Sequence, residues 1–356
     1  MYAVIMAGGI GTRFWPRSRQ KHPKQLLKII GDRTLIQSTV DRLFPLVKHE
    51  NIFIVSTTLQ IEEIKKQLPF LKTENLLIEP KGKNTAPCIG LAALFIKRID
   101  SEGVMAVLPA DHSIKKEEQF KKILATAEQV AIQKECLVTI GINPTYPSTG
   151  YGYIQVNGEI DEINNMPVYK VKTFAEKPDI KTAERFMDSG DFLWNSGMFV
   201  WKAKTILKEI EEALPELYDG LLEIEKALGT KSQDETINKV YCQIKSISID
   251  YGVMEHTRNV NVLKGNFGWS DVGSWEEVYK ISDQDEHKNV SKGINFLKDT
   301  KGCLIDVPNK FVATLGVEDL IVVDTEDALL ICPRNKAQNV KDLVESMKRK
   351  EQINYL

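Results

Sequence analysis

The sequence predicts an α/β protein in which a mixed, mostly parallel sheet has helices on both faces and is followed by a small β appendage. Up to Ile142, short apolar segments alternate with amphipathic ones. After Gly150, longer strand-like segments follow that can pair in either direction. From about Lys288 onward, short apolar strands and turns precede a charged helix that starts near Ala337.

Five short segments rich in β-branched residues have the composition of buried parallel strands. They are Tyr2–Met6, Ile52–Ser56, Asn75–Glu79, Val104–Ala110 and Cys136–Ile142. The stretches between them, such as LQIEEIKKQL and EEQFKKILATAEQVAIQ, have the amphipathic spacing of helices. This alternation indicates βαβ units in a Rossmann-like sheet. Ligands of such sheets bind beyond the carboxyl ends of the strands, where AGGIG, LPADH and IEPKGKNTAP are expected to lie.

The second half of the chain is predicted to extend this sheet and then to change in character. YGYIQV, VYKVKTFAEKP and FVWK are predicted strands, and one long helix is predicted from roughly Lys204 to Leu228. We place an α/β domain at residues 1–287 and a β-rich domain that ends in a helix at residues 288–356. The strand–turn units of the second domain suggest coils of a solenoid, with a short left-handed β-helix as one candidate. Three units are too few to establish a repeat period.

The composition excludes several classes of protein. The 356 residues suffice for a large domain plus an appendage, and 42% of them are hydrophobic, as in an ordinary globular protein. The net charge of −2 gives no reason to expect a nucleic-acid or membrane surface. Five scattered cysteines without zinc spacing indicate free thiols in a reducing compartment. We find no basic leader and no apolar run of membrane length, so we expect a cytoplasmic protein.

Three glycines follow the first predicted strand in the stretch AGGIGTRFWP: Gly8, Gly9 and Gly11. Such glycines let backbone amides converge on phosphate oxygens, and Arg13 can add a bidentate contact. The dinucleotide pattern is excluded because Phe14 stands where it needs a glycine, and the Gly-Lys-Ser/Thr of the Walker pattern is absent. Three glycines alone would fit a tight turn equally well. Arg13 and the following P-K-Q, which contains Lys24, favour phosphate binding.

GGIGTRFWPRS followed by PKQ resembles the signature of the sugar-1-phosphate nucleotidylyltransferases, in the version found in mannose-1-phosphate guanylyltransferases. Further stretches match the same family in order along the chain: EPKGKNTAP, LPADH, STGYGYI, FAEKP, WNSGMFVW, SIDYGVME, FGWSDVGSW and VEDLIVVDTEDALLICP. One departure is Gly252, where family members commonly carry alanine. The resemblance implies that GTP and α-D-mannose 1-phosphate give GDP-mannose and pyrophosphate, by metal-assisted in-line attack of the sugar phosphate on the nucleotide α-phosphate.

That chemistry agrees with the residues present. The nucleophile is already an anion, so positioning and electrostatic stabilisation matter more than a general base. Three alternatives stay open: another sugar-1-phosphate nucleotidylyltransferase, a nonenzymatic nucleotide-sugar sensor on the same fold, and a metal-dependent glycosyltransferase. The last usually offers a D-x-D strand end, which LPADH lacks. Loss of Arg13, Lys24, Asp111 or Asp271 would favour the sensor, and all four are present.

The resemblance assigns Arg13, Lys24 and Asp111 to catalysis, and it assigns Asp111 and Asp271 to Mg²⁺. Two carboxylates suit Mg²⁺, which retains several waters. Instead of binding Mg²⁺, either aspartate could cap a helix or a turn. The implied nucleotide site comprises Ala7, Gly8, Gly9, Gly11, Thr12, Arg13, Asn84, Thr85, Ala86 and Pro87.

The implied sugar-phosphate site comprises Gly150, Glu176, Lys177, Asn195 and Gly197. Glu176 and Lys177 are neighbours, so an extended strand would point them to opposite faces, and a turn before Pro178 is needed to aim both at one ligand. The alternative is an exposed ion pair that contributes at most about 1 kcal/mol. Gly150 fits a close backbone approach or an ordinary turn.

Three further expectations complete the site. In KNTAP, either Asn84 or Thr85 can cap the helix that follows, and the same loop can face a purine edge; the choice of guanine depends on the resemblance alone. His112 is expected not to be a ligand, and Trp194 and Phe199 are expected to be core residues. By family analogy the C-terminal β segment is expected to form a homodimer surface.

Overall fold

The computed structural model describes all residues, 1–356, as seventeen strands and ten α-helices. The strands are β1 (Tyr2–Met6), β2 (Ile52–Thr57), β3 (Leu76–Glu79), β4 (Val104–Pro109), β5 (Ser113–Ile114), β6 (Leu137–Ile142), β7 (Tyr153–Ile163), β8 (Met166–Ala175), β9 (Phe192–Lys202), β10 (Val260–Gly265), β11 (Trp269–Ser270), β12 (Val290–Lys292), β13 (Asn295–Lys298), β14 (Leu304–Asp306), β15 (Val312–Leu315), β16 (Leu320–Asp324) and β17 (Leu329–Pro333).

The helices are α1 (Leu35–Asp41), α2 (Thr58–Gln67), α3 (Thr85–Ile99), α4 (Glu117–Lys134), α5 (Ile180–Ser189), α6 (Ala203–Ala213), α7 (Pro215–Ala227), α8 (Gln233–Gln243), α9 (Trp275–Ile281) and α10 (Val340–Arg349). Three short turns of other helix types matter for the site: Thr12–Phe14, Lys24–Leu26 and the π-helical turn Asp250–Met254. No helix is long and apolar enough to span a lipid bilayer.

A nine-stranded sheet organises residues up to Gly265, in the order β3-β2-β1-β4-β9-β6-β10-β8-β7. Strands β1 to β4 are parallel to one another, and β6 is parallel to β10. Strand β9 runs antiparallel to both β4 and β6, and β7 and β8 form an antiparallel edge. The prediction of a mixed, mostly parallel sheet is therefore confirmed.

The sheet separates two hydrophobic cores, as strand β1 illustrates. Val4 packs in one core with α3, α6 and α7, while Ala3 and Ile5 pack in the other with α1, α2 and α4. All three side chains are fully buried. Successive side chains of a strand point to opposite faces, so a strand that is covered on both faces must be apolar throughout. This explains why every central residue of YAVIM is apolar.

One predicted helix is divided in the structure. The stretch from Lys204 to Leu228 forms α6 and α7, which are separated at Leu214, with Pro215 as the first residue of α7. Proline has no amide hydrogen to donate into a preceding turn, but it is well tolerated at the first position of a helix. The prediction of one continuous helix was therefore wrong, although the sequence contained the signal.

The C-terminal strands stack as successive coils. Strands β12, β14 and β16 are parallel neighbours in one sheet, β13 and β15 are parallel neighbours in a second, and β17 closes the first sheet antiparallel to β16. Each coil contributes one strand to each sheet, which is the arrangement of a short β-helix. The prediction of a small β appendage is confirmed, while its left hand stays a prediction.

The appendage shares a core with the residues that follow β1. Phe14 and Trp15 pack in one cluster with Leu304 and Val344. In addition, the indole Nε1 of Trp15 donates a hydrogen bond of 2.8 Å to the carbonyl of Tyr355. The division of the chain at residue 287 stays a prediction, since packing is continuous across it.

Candidate active site

A cavity of about 600 Å³ lies at the carboxyl ends of β1, β3 and β4 and beside β8 and β9. Its lining is mostly polar and glycine-rich, as in sites that hold a large polar ligand. The lining includes Gly8, Gly9, Glu79, Asn84, Thr85, His112, Gly150, Tyr151, Glu176, Lys177, Asn195, Gly197, Asp250, Trp269 and Asp271. The structure thus brings together loops that are far apart in the sequence.

The glycine loop presents only part of its length to the cavity. Gly8 and Gly9 are exposed and line it, whereas the amide of Ala7 is used in a hydrogen bond to Val55 O, at 2.8 Å. Gly11 has a φ of 71°, and a side chain there would collide with that of Lys24. Gly11 therefore serves the turn and the close approach of Lys24.

A glutamine of the P-K-Q element holds this loop in place. The side-chain nitrogen of Gln25 donates to the carbonyl oxygens of Ala7 and Gly9, each at 2.9 Å, and Gln25 is buried. Ser56 also donates to Ala7 O, at 2.9 Å. We did not predict this role for Gln25, although the residue belongs to a matching motif.

Lys24 links the two predicted metal-binding aspartates. Its Nζ donates to Asp111 Oδ2 at 2.8 Å and to the main-chain carbonyl of Asp271 at 2.7 Å. Burial acts to raise the pKa of Asp111, but the charge and hydrogen bond of Lys24 outweigh it, so that the pKa lies below its usual value. A buried lysine would be costly alone, and this pairing keeps both groups charged.

Neither aspartate caps a helix, since α4 begins at Glu117 and α9 at Trp275. Instead, the carboxylate of Asp271 accepts a 2.8 Å hydrogen bond from the hydroxyl of Tyr151. Burial and the neighbouring Asp271 raise the pKa of Tyr151, so that it remains a donor. Asp271 lines the cavity, whereas Asp111 and Lys24 lie outside its wall and are joined to Asp271 by the hydrogen bonds of Lys24.

His112 is a buried neutral group beside these aspartates. Its Nδ1 accepts a 3.1 Å hydrogen bond from the indole of Trp269. Burial lowers the pKa of His112 to about 4. His112 therefore orients the indole of Trp269 and adds no positive charge beside the two aspartates.

The remaining predicted nucleotide residues divide into two sets. Asn84 and Thr85 line the cavity, and Asn84 is the cap of α3, where its side-chain oxygen accepts the amide of Thr85 at 2.9 Å. The residues that lie outside the cavity wall are Ala7, Gly11, Thr12, Arg13, Ala86 and Pro87. Ala86 is fully buried. Arg13 is exposed and makes no ion pair or hydrogen bond, so it is a free cation at the loop.

All five predicted sugar-phosphate residues line the cavity. Lys177 has a φ of 46°, and this reversal after β8 puts its Nζ 2.9 Å from the Glu176 carboxylate. The turn before Pro178 therefore exists. Gly152 is needed here because a side chain at that position would collide with the carboxylate of Glu176.

Asn195 is held in one orientation by Asp250. Its amide nitrogen donates to Asp250 Oδ1 at 2.7 Å, and its oxygen accepts the amide of Gly197 at 3.0 Å. Each group retains one further hydrogen-bonding position. Burial, followed by repulsion from Glu176, raises the pKa of Asp250 to about 6. We did not predict Asp250 as a site residue, although SIDYGVME was one of the matching stretches.

Comparison with known proteins identifies the family. The model of the nucleotidyl transferase family matches residues 2–288. The chain belongs to this family. A second model, the MannoseP isomerase/GMP-like beta-helix domain, matches residues 295–347 within the coiled appendage.

Individual relatives match over nearly the whole chain. Proteins of Klebsiella pneumoniae and Escherichia coli that are named mannose-1-phosphate guanylyltransferase are each 39% identical to this nucleotidyl transferase over 99% of its length, which spans 75% of theirs. A crystal structure from Thermus thermophilus, named mannose-1-phosphate geranyltransferase, superposes with a TM-score of 0.88 at 33% identity and covers 98% of this chain and 99% of its own. The predicted family, fold class and enzyme class are confirmed.

Proposed function

We propose that this nucleotidyl transferase is a mannose-1-phosphate guanylyltransferase, which forms GDP-mannose and pyrophosphate from GTP and α-D-mannose 1-phosphate. The observation that carries the proposal is the position of Lys24, which binds Asp111 and the backbone of Asp271 beside an open glycine loop. Lys24 thus provides a cation, and the two aspartates provide carboxylates, at the place where the nucleoside triphosphate and the sugar phosphate would meet. The relatives of that name extend over 99% of the chain, which supports the choice of reaction.

The order of strands suggests how the substrates lie. The triphosphate would lie on the free amides of Gly8 and Gly9, with the nucleoside toward Asn84 and Thr85. The sugar phosphate would enter between β8 and β9, where Lys177 offers a cation. Glu176 and Asp250 there are acceptors for sugar hydroxyl groups.

The reaction needs charge stabilisation more than proton transfer. An oxygen of the sugar phosphate forms a bond to the α-phosphorus of GTP, and the bond from that phosphorus to the bridging oxygen breaks. Pyrophosphate leaves with the electron pair of that bond. Lys24, held rigidly by Asp111, and the free guanidinium of Arg13 would stabilise the negative charge that develops.

The donor set fits Mg²⁺. Asp111 and Asp271 supply hard oxygen ligands, and no cluster of three or more His, Cys, Asp or Glu side chains offers a softer site. These two residues would hold the ion, with water completing its shell. Bound there, Mg²⁺ would neutralise phosphate charge.

We also propose a cytoplasmic homodimer that acts on small molecules without nucleic acid or membrane. Large apolar side chains are exposed on β13, β15 and the turns beside them: Ile294, Phe296, Phe311 and Leu315 are each more than 60% exposed. Exposed apolar groups clustered in this way are typical of protein interfaces. All five cysteines are unpaired thiols, which suits a reducing compartment.

The test is pyrophosphate release with Mg²⁺ over a grid of five nucleoside triphosphates against mannose, glucose and N-acetylglucosamine 1-phosphates. We expect one strong signal, at GTP with mannose 1-phosphate. In Arg13→Ala we expect that signal to fall by about 100-fold or more. The control is Arg33→Ala, which removes another exposed arginine, one that pairs with Asp41 outside the cavity.

Each other outcome has a definite meaning. A strong signal elsewhere in the grid would keep the reaction type and reject the substrates. Silence throughout, from a folded protein that still binds a nucleotide, would favour a sensor. Equal rates in Arg13→Ala and Arg33→Ala would reject the role of Arg13.

A further inference from the structure

Tyr151 lies in the candidate active site and has no role in the reaction as described. It lines the cavity between Gly150 and Gly152, and its hydroxyl donates a hydrogen bond of 2.8 Å to Asp271 Oδ1. No other side chain or amide donates to this carboxylate, whereas the carboxylate of Asp111 is paired with Lys24. The two aspartates of the proposed metal site are therefore held by donors of different charge.

The main chain around Asp271 is fixed at several points. Its carbonyl accepts a hydrogen bond of 2.7 Å from Lys24 Nζ, and the amide of Val272 donates to Ser270 Oγ at 3.1 Å. Val272 is fully buried and has a φ of 47°, a left-handed conformation that is unfavourable for a β-branched residue and persists only where the surroundings enforce it. With the main chain fixed, rotation of the Asp271 side chain is the freedom that remains, and the hydrogen bond from Tyr151 restrains it.

Tyr151 is itself held by an aromatic frame. Its ring packs edge-on against Trp194 and Trp269, with ring centroids 4.9 Å and 5.3 Å away. The indole of Trp269 donates to Nδ1 of His112 at 3.1 Å, and His112 follows Asp111 in the chain. A continuous series of contacts through these rings therefore joins the two aspartates.

We propose that Tyr151 is a positioning residue of the metal site, whose hydroxyl orients the Asp271 carboxylate so that Oδ2 is presented to Mg²⁺. The inference rests on the proposed assignment of Asp271 to the metal. A carboxylate offers about four acceptor positions, and Tyr151 occupies one of them, on Oδ1. Oδ2 lies beside Gly273, where a Cβ would approach it to 3.0 Å, so the lack of a side chain there leaves room beside this oxygen.

A neutral donor suits this task better than a cation does. A lysine paired with the Asp271 carboxylate would compete with Mg²⁺ for it, whereas a phenol hydroxyl restrains one oxygen and leaves the negative charge in place. Loss of a group that hydrogen-bonds a metal ligand in this way typically lowers metal affinity by about 10- to 100-fold. Removal of the Tyr151 hydroxyl should therefore weaken metal binding although both carboxylates remain.

The test is a titration of the folded protein with Mn²⁺ alone, in which the EPR signal of the free ion gives the dissociation constant. Mn²⁺ prefers the same hard oxygen ligands as Mg²⁺. In Tyr151→Phe we expect the dissociation constant to rise by about 10-fold or more. The Mg²⁺ concentration that gives half of the maximal rate of pyrophosphate release should rise by a similar factor, while kcat at saturating Mg²⁺ recovers most of the wild-type value.

The matched control is Tyr153→Phe, which removes the hydroxyl of another tyrosine in the same motif. Tyr153 is fully buried, does not line the cavity, and donates to the carbonyl of Ser148 at 3.1 Å. The Mn²⁺ affinity of this variant should equal that of the wild type. Asp271→Asn should lose at least as much Mn²⁺ affinity as Tyr151→Phe, and a thermal melt checks that each variant is folded.

Three results would overturn the proposal. Equal Mn²⁺ affinities of Tyr151→Phe and the wild type would reject the role, and a raised KM for the sugar phosphate would then assign the hydroxyl to the sugar. An equal loss of affinity in Tyr151→Phe and Tyr153→Phe would show a general loosening of the loop. Mn²⁺ binding that survives Asp271→Asn would remove the metal from this carboxylate and the role of Tyr151 with it. The titration needs no substrate, so its outcome is distinct from a failure of the substrate grid, which would reject the proposed reaction.

Discussion

The burial of Glu79 has a consequence for stability that can be measured without any substrate. Burial raises its pKa from an ordinary 4.5 to about 7. Below pH 4.5 the carboxyl is protonated in both the folded and unfolded states, so its ionisation costs the fold nothing. Between pH 4.5 and 7 it ionises in the unfolded chain but not in the folded one, and this stabilises the unfolded state.

The magnitude follows from the two pKa values. Each pKa unit corresponds to about 1.4 kcal/mol, so ionisation of Glu79 should cost the folded protein about 3 kcal/mol once the pH exceeds 7. Glu79→Gln cannot ionise and escapes this cost. The difference in unfolding free energy between Glu79→Gln and the wild type should therefore move in favour of the variant by up to this amount from pH 5 to pH 8.

Urea unfolding at pH 5, 6, 7 and 8 provides the measurement, with fluorescence and circular dichroism compared to check two-state behaviour. Glu74→Gln is the matched control, because it makes the same chemical change at an exposed carboxylate just before β3, and the difference between this variant and the wild type should not change with pH. If the profiles of Glu79→Gln and the wild type are parallel, the carboxylate is not desolvated and the argument from burial is refuted.

Three further predictions test other parts of the molecule. Asp111→Asn should lower turnover by about 100-fold or more at saturating Mg²⁺, because half of the carboxylate pair is lost; a near-normal rate would contradict its role. Gly11→Ala should lower the urea midpoint by an amount equivalent to about 1–3 kcal/mol, because φ is positive and Lys24 is in contact; an unchanged midpoint would show that the turn adapts. Phe296→Asp should convert a sedimenting dimer to a monomer; a wild-type protein that sediments as a monomer would reject the interface.

The framework of the site could be predicted from the sequence because strand composition and strand ends are local properties. Continuous apolar runs marked the parallel strands, and Asp111 follows β4 as expected. The break between α6 and α7 was also visible in the sequence at Pro215, but the helical periodicity on both sides led to one long helix.

What could not be predicted depends on distant residues. Asn195 is fixed by Asp250, 55 positions later in the chain, and no local pattern connects them. Glu79 was included only as the end of a strand, and the missing hydrogen-bond partner of its buried Oε1 becomes visible only once every neighbour is placed. Ala86 belongs to a matching motif but is buried in α3, since a motif contains packing residues as well as ligands.

The hydrogen bond from Trp15 to Tyr355 joins two segments that are 340 positions apart, next to the glycine loop. During synthesis the loop leaves the ribosome well before its partners in α10 and at Tyr355. The loop can therefore complete its packing only when translation of this segment is finished. A chain cut before α10 would hold Arg13 on a loosely supported loop, so that activity depends on a segment that is far from the loop in sequence.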